Sequence, residues 1–92
     1  MNRVEHLMVC LMEECAEVQK AAAKALRFGL TDRNVDDLYR EYVDVEAVFD
    51  LLADTVPSLG HGTDETSERK RIKADKVDWY MRQDAAQPGR MT

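Results

Sequence analysis

The chain lacks any apolar run long enough to cross a membrane or to form the core of a secretion signal. The longest, Leu7 to Met12, spans six residues, and an acid stands as early as Glu5. A cytoplasmic location, away from membranes, is the expectation. Cysteine is scarce as well. Cys10 and Cys15 fall on what reads as one helix, whose rise alone parts their Cα atoms by about 7.5 Å, beyond disulfide reach. Both are expected to be reduced packing residues. His6 and His61 are the only histidines, and without CxxC or HxxxH spacing they make no zinc signature. Positive charge is in deficit: 13 Lys and Arg against 18 Asp and Glu leave −5, which removes the field that non-specific nucleic-acid binding needs. Strand alternation, internal repeats and low-complexity segments are absent too. At 92 residues there is room for one core and not for two.

What is present is helical periodicity. Val4, Leu7, Leu11, Val18, Ala21, Ala25 and Phe28 recur in steps of three and four, predicting a helix over residues 3–28 that stops at Gly29. Lys24 and Arg27 place positive charge near its carboxyl-terminal dipole. Thr31 and Asp32 then cap a second helix, whose predicted stripe is Val35, Leu38, Tyr42, Val45, Phe49, Leu52 and Val56, closed by Pro57. So short a link makes long helices antiparallel neighbours, which gives a helical hairpin over 3–56. Residues 57–66 read as a turn-rich linker. Ser67 opens a third helix to about Gln83, with Ile72, Val77, Trp79 and Tyr80 as a thin apolar contribution. One domain over 1–86 is expected, with 87–92 as a disordered tail. Because this hairpin-plus-helix has little core of its own, homo-oligomerisation is expected to complete the bundle. Met8, Cys10, Met12, Cys15 and Ala22 lie off the first stripe and would serve that contact.

Charge is distributed unevenly. Residues 31–54 carry two basic and eight acidic groups, while Arg69, Lys70, Arg71, Lys73 and Lys76 crowd the start of the third helix. Such a pattern suits a cation together with a polyanionic small molecule, or a simple attraction between helices two and three. The apolar stripe of helix one is broken at Glu14, with Glu17 one turn on, and Glu41 and Asp44 repeat that spacing beside the stripe of helix two. A carboxylate facing a core is costly unless it is paired or binds metal. In an antiparallel hairpin the two pairs stand at matching heights, and no arginine or lysine occupies a matching stripe position to neutralise them. Oxygen-only ligands favour Mg²⁺ or Mn²⁺. Iron is disfavoured, since no Glu-x-x-His pair is present. Acidic pairs at this spacing are also common on solvated helix faces; their pairing about a turn and the broken stripe are what give them weight. Glu13 points away from the stripe.

Glu14-x-x-Glu17 followed after 23 residues by Glu41-x-x-Asp44 resembles the signature of the MazG-like all-α nucleoside triphosphate pyrophosphohydrolases. The segments Glu13 to Val18 and Lys24 to Gly29 look like the short phage-encoded branch, and Lys73-x-x-Lys76-Val77-x-x-Tyr80 resembles its carboxyl-terminal helix, so the likeness covers about residues 8–82. The resemblance implies Mg²⁺-dependent cleavage of a nucleoside triphosphate between the α and β phosphates, on a bundle completed by a homodimer or a homotetramer. Carried over by position, Glu14, Glu17, Glu41 and Asp44 would be metal ligands and catalytic carboxylates, and Lys73 and Lys76 would face the triphosphate. Lys24 and Arg27, at the end of helix one, are further phosphate candidates. Tyr80 or Trp79 would stack on a base, against a packing role. The link Gly29 to Asn34 is shorter than the segment expected in several phage relatives, which touches base recognition.

The expected function is therefore removal of nucleoside triphosphates as monophosphate and pyrophosphate. Two rivals are a non-catalytic helical interaction module and a phosphoribosyl-ATP-type pyrophosphohydrolase on the same bundle.

Overall fold

The computed structural model describes residues 1–60 and 63–85, with three α-helices and no strand among them. Helix α1 is Arg3–Phe28, α2 is Asp32–Thr55, a single 3₁₀ turn follows at Pro57–Leu59, and α3 is Thr63–Ala85. The chain falls into two compact units, Met1–Gly60 and His61–Thr92, each described by itself. The residues expected as a disordered tail, 87–92, lie outside the described residues. No described helix is long and apolar enough to cross a membrane.

Local signals set the helix ends of the first unit. Asn2 and Glu5 form a capping box: the Glu5 N–H donates to Asn2 Oδ1 at 2.8 Å and the Asn2 N–H to Glu5 Oε1 at 3.4 Å. At the far end Gly29 has φ +100°, which L side chains rarely adopt, and its N–H donates to the Ala25 carbonyl at 2.8 Å. Thr31 caps α2 by accepting from the Asn34 N–H at 3.1 Å. Asn34 is buried, and its Nδ2 donates to the Gly29 carbonyl at 2.9 Å, tying the start of α2 to the end of α1. Lys24 and Asp37, at 3.9 Å, span the helices just beyond this turn. Near the end of α2, the Val56 N–H closes on the Leu52 carbonyl before Pro57 begins the 3₁₀ turn.

The α1–α2 seam follows steps of three and four. On α1 the buried and half-buried line runs Val4, Leu7, Leu11, Glu14, Val18, Ala21, Ala25; on α2 it runs Asn34, Leu38, Glu41, Val45, Val48, Leu52. Leu52 is fully enclosed, and Leu7 and Ala25 are 5% exposed. The second line corrects the sequence-based stripe. Val35, Tyr42 and Phe49 are exposed at 48%, 54% and 42%, as is Phe28 at the end of α1. Helix α2 carries two apolar lines seven residues apart in step, 35/42/49 and 38/45/52, and only the second faces α1. Cys15 is likewise exposed rather than packed, and both thiols are free, with Cys10 half-buried.

Helix α3 begins at Thr63, four residues before the expected start, and runs to Ala85. The supposed linker 57–66 is thus partly helical at both ends. Glu65, in the first turn, suits the positive end of the helix dipole, which the apolar periodicity alone did not reveal.

Candidate metal and phosphate site

The seam acids come from facing lines of the hairpin. Glu14 and Glu41 are half-buried and Asp44 is exposed, and one carboxylate oxygen from each can be chosen so that all three lie within 4.8 Å of one another. Placing Glu14 on the seam follows from the stepping 7, 11, 14, 18, 21. Glu41 sits on the seam itself rather than at the edge of a stripe, since the inward line of α2 passes through 38, 41 and 45.

Glu17 does not join this group of three; it is exposed and lines an adjoining groove. Its charge nevertheless reaches Glu41. Partial burial raises the Glu41 pKa above the ordinary 4.5, and the carboxylates of Asp44, Glu17, Glu14 and Asp37 raise it further, in that order. A carboxyl that resists ionisation because other carboxylates crowd it is one that a cation would relieve. Glu13 is exposed and outside the cluster.

The adjoining groove is open, about 280 Å³, and lined by Glu17, Lys20, Ala21 and Lys24 of α1 with Asp37 and Glu41 of α2. It shares Glu41 with the acid cluster. Lys24, a phosphate candidate from the sequence, is thereby placed beside the carboxylates. Arg27 is not: its guanidinium lies over the Phe28 ring, 5.3 Å from the centroid. Lys20 and Asp37 were missed by sequence reasoning. The available signal was that Glu17, Lys20 and Lys24 step by three and four alongside the seam, but an exposed lysine beside an apolar stripe is the commonest pattern on an amphipathic helix.

Lys73, Lys76 and Tyr80 belong to the second unit, all exposed. They occupy one face of α3 by their spacing of three and four, and Arg69, Ile72, Lys73 and Lys76 line a small recess there. Among the described residues none of Arg69, Lys70, Lys73 and Lys76 makes an ion pair, whereas Arg71 on the opposite side bonds Glu68 and Asp75. Trp79 and Tyr80 meet edge to face at 5.1 Å, and both remain exposed at 50% and 59%.

No protein-family model, curated protein or solved structure matches the chain.

Proposed function

We propose that the protein is a Mg²⁺-dependent nucleoside triphosphate pyrophosphohydrolase, releasing nucleoside monophosphate and pyrophosphate. The observation that carries this reading is the meeting of Glu14, Glu41 and Asp44 oxygens within 4.8 Å, two of them half-buried on the seam of a hairpin. The donor set fits a hard divalent cation: it is all carboxylate, without nitrogen or sulfur, and close enough for one ion to touch three residues. Glu14, Glu41 and Asp44 would hold Mg²⁺, or Mn²⁺ in its place, with Glu17 as the fourth carboxylate. Bound there, the cation supplies charge neutralisation for phosphate and a bound water of lowered pKa.

The side chains of the chain itself have separate tasks. Lys24 lines the groove that shares Glu41 with the cluster, which supports a role for it in meeting phosphate oxygens. A carboxylate of the set would accept the proton of the attacking water. Lys73, Lys76 and Tyr80 are assigned to the substrate on the sequence resemblance alone. A homodimer or homotetramer would complete the bundle; the exposed apolar line Val35, Tyr42 and Phe49 on α2 supports such an assembly.

The reading is tested by incubating the chain with a panel of ribo- and deoxynucleoside triphosphates and Mg²⁺ and separating the products by ion exchange. Monophosphate and pyrophosphate from wild type, and none from Glu17→Gln, is the expected result. Diphosphate and phosphate, or no turnover at all, would overturn it and favour an interaction module; selective turnover of phosphoribosyl-ATP would move the substrate assignment.

A further inference from the structure

The groove beside the acid cluster is built from both signs of charge. Glu17, Asp37 and Glu41 line it together with Lys20 and Lys24. Lys24 reaches Asp37 only at 3.9 Å, a loose pair, and among the described residues Lys20 makes no ion pair although carboxylates share its walls. An ammonium group that declines its carboxylate neighbours keeps its donors available to another acceptor. Groove and cluster together hold five carboxylates (Glu14, Glu17, Asp37, Glu41, Asp44) and two ammonium groups, a net of −3. No polyphosphate enters such a field unaided. One divalent cation brings the net to −1 and a second to +1, so the sign of the site turns on cation occupancy.

We propose that Lys20, together with Lys24, forms a phosphate-binding wall, and that its ligand is a polyphosphate anion admitted only after divalent cation has bound the neighbouring carboxylates. Lys20 is a substrate-binding residue in this scheme, and addition is ordered, cation before anion. The position of Lys20 on α1, three residues after Glu17 and four before Lys24, sets it on the groove wall opposite Asp37 and Glu41 of α2. The inference takes its cation from the hydrolase reading, but its anion site stands or falls separately.

The test is calorimetric titration of the full chain with inorganic pyrophosphate, in saturating Mg²⁺ and in EDTA, for wild type, Lys20→Gln, Lys20→Arg and Arg3→Gln. Lys20 is exposed, so both of its variants are expected to fold, and circular dichroism checks this. Wild type is expected to bind pyrophosphate in Mg²⁺ and not in EDTA. Lys20→Gln should weaken binding about tenfold, the scale of one charge-assisted hydrogen bond. Lys20→Arg should restore most of it, and Arg3→Gln, at the far end of α1, should leave it unchanged. With a triphosphate that turns over, Lys20→Gln should raise KM.

Equal affinity of wild type and Lys20→Gln, binding that persists in EDTA, or no binding by wild type would overturn the proposal. The two readings fail differently. Lys20-dependent pyrophosphate binding without triphosphate turnover sinks the hydrolase and keeps the anion site. Turnover with wild-type KM in Lys20→Gln keeps the hydrolase and reduces Lys20 to a charge that only balances its acidic neighbours.

Discussion

Two stretches of the same seam differ in what they bury. Away from the turn, the line holds Leu7 on α1 and Leu52 on α2, both enclosed; at mid-height the corresponding positions hold Glu14 and Glu41, half-buried. The stepping is the same in both places, so the backbone offers equivalent inward positions and the side chains alone decide the outcome. Leucine there lowers the free energy of the folded hairpin. A carboxylate there raises it, as the elevated pKa of Glu41 records. A chain with so few enclosed side chains among the described residues carries this acidic layer at the expense of stability, a cost that the proposed cation would offset.

The contrast breaks first at the apolar end. Leu52→Ala removes the one large side chain with no exposure among the described residues and is expected to lower unfolding free energy by about 2–4 kcal/mol, enough to unfold much of a hairpin of this size. Urea titration followed by circular dichroism measures it. At the acidic end the opposite trade is expected. On the proposed hydrolase reading, in which Glu41 would hold the cation, Glu41→Gln should reduce triphosphate turnover on the order of 100-fold or more, and independently of that reading it should raise the melting temperature in metal-free buffer. A melting temperature that fell instead would mean that Glu41 is stabilised by its surroundings, not crowded by them.

The same group gives a pH dependence. A folded-state pKa above the unfolded one means the native state holds the proton more tightly, so stability falls as pH rises. In EDTA the loss should begin near the ordinary 4.5 and be complete once pH passes the raised value, with Asp44, Glu17, Glu14 and Asp37 as the facing charges. Thermal melts across that window should slope for wild type and flatten for Glu41→Gln, and saturating Mg²⁺ should flatten the wild type as well.

A smaller effect belongs to the turn that sets the two helices in register. Asn34→Ala loses the 2.9 Å bond to the Gly29 carbonyl in a buried position and is expected to cost about 1 kcal/mol. The smallest lies outside the hairpin: Arg71→Gln breaks exposed pairs with Glu68 and Asp75 on α3 and should leave the melting temperature within error.

How far the sequence disclosed these features depended on the kind of signal. The ends of α1 and α2 were legible because Gly29, Thr31 and Pro57 act locally on the backbone. The inward face of α2 was not, because Val35, Tyr42 and Phe49 form as regular a line as Leu38, Val45 and Leu52, and hydropathy does not say which line meets a neighbour. The true seam also contains Asn34 and Glu41, whose polarity argues against burial until the bond to Gly29 and the facing Glu14 are seen. For the site, the paired spacing exposed Glu14, Glu41 and Asp44, but the separation of Glu17 from that trio depends on side-chain reach across the seam. Lys20 required the groove itself. The earlier start of α3 was hidden because its first turns carry almost no apolar residues.

The tight connection at Gly29 has a kinetic consequence. It sets Asn34 against the Gly29 carbonyl, so contacts beside the turn close short loops while those at Leu7 and Leu52 close long ones. If pairing starts at the short loops and advances towards Leu7 and Leu52, Glu14 and Glu41 lie midway along its track. In that order the acidic layer would act as a brake on closure, because its carboxylates meet before the last enclosed leucines do. The cation proposed for this cluster would then release the brake, and a stopped-flow refolding rate that rises with Mg²⁺ is the expected result.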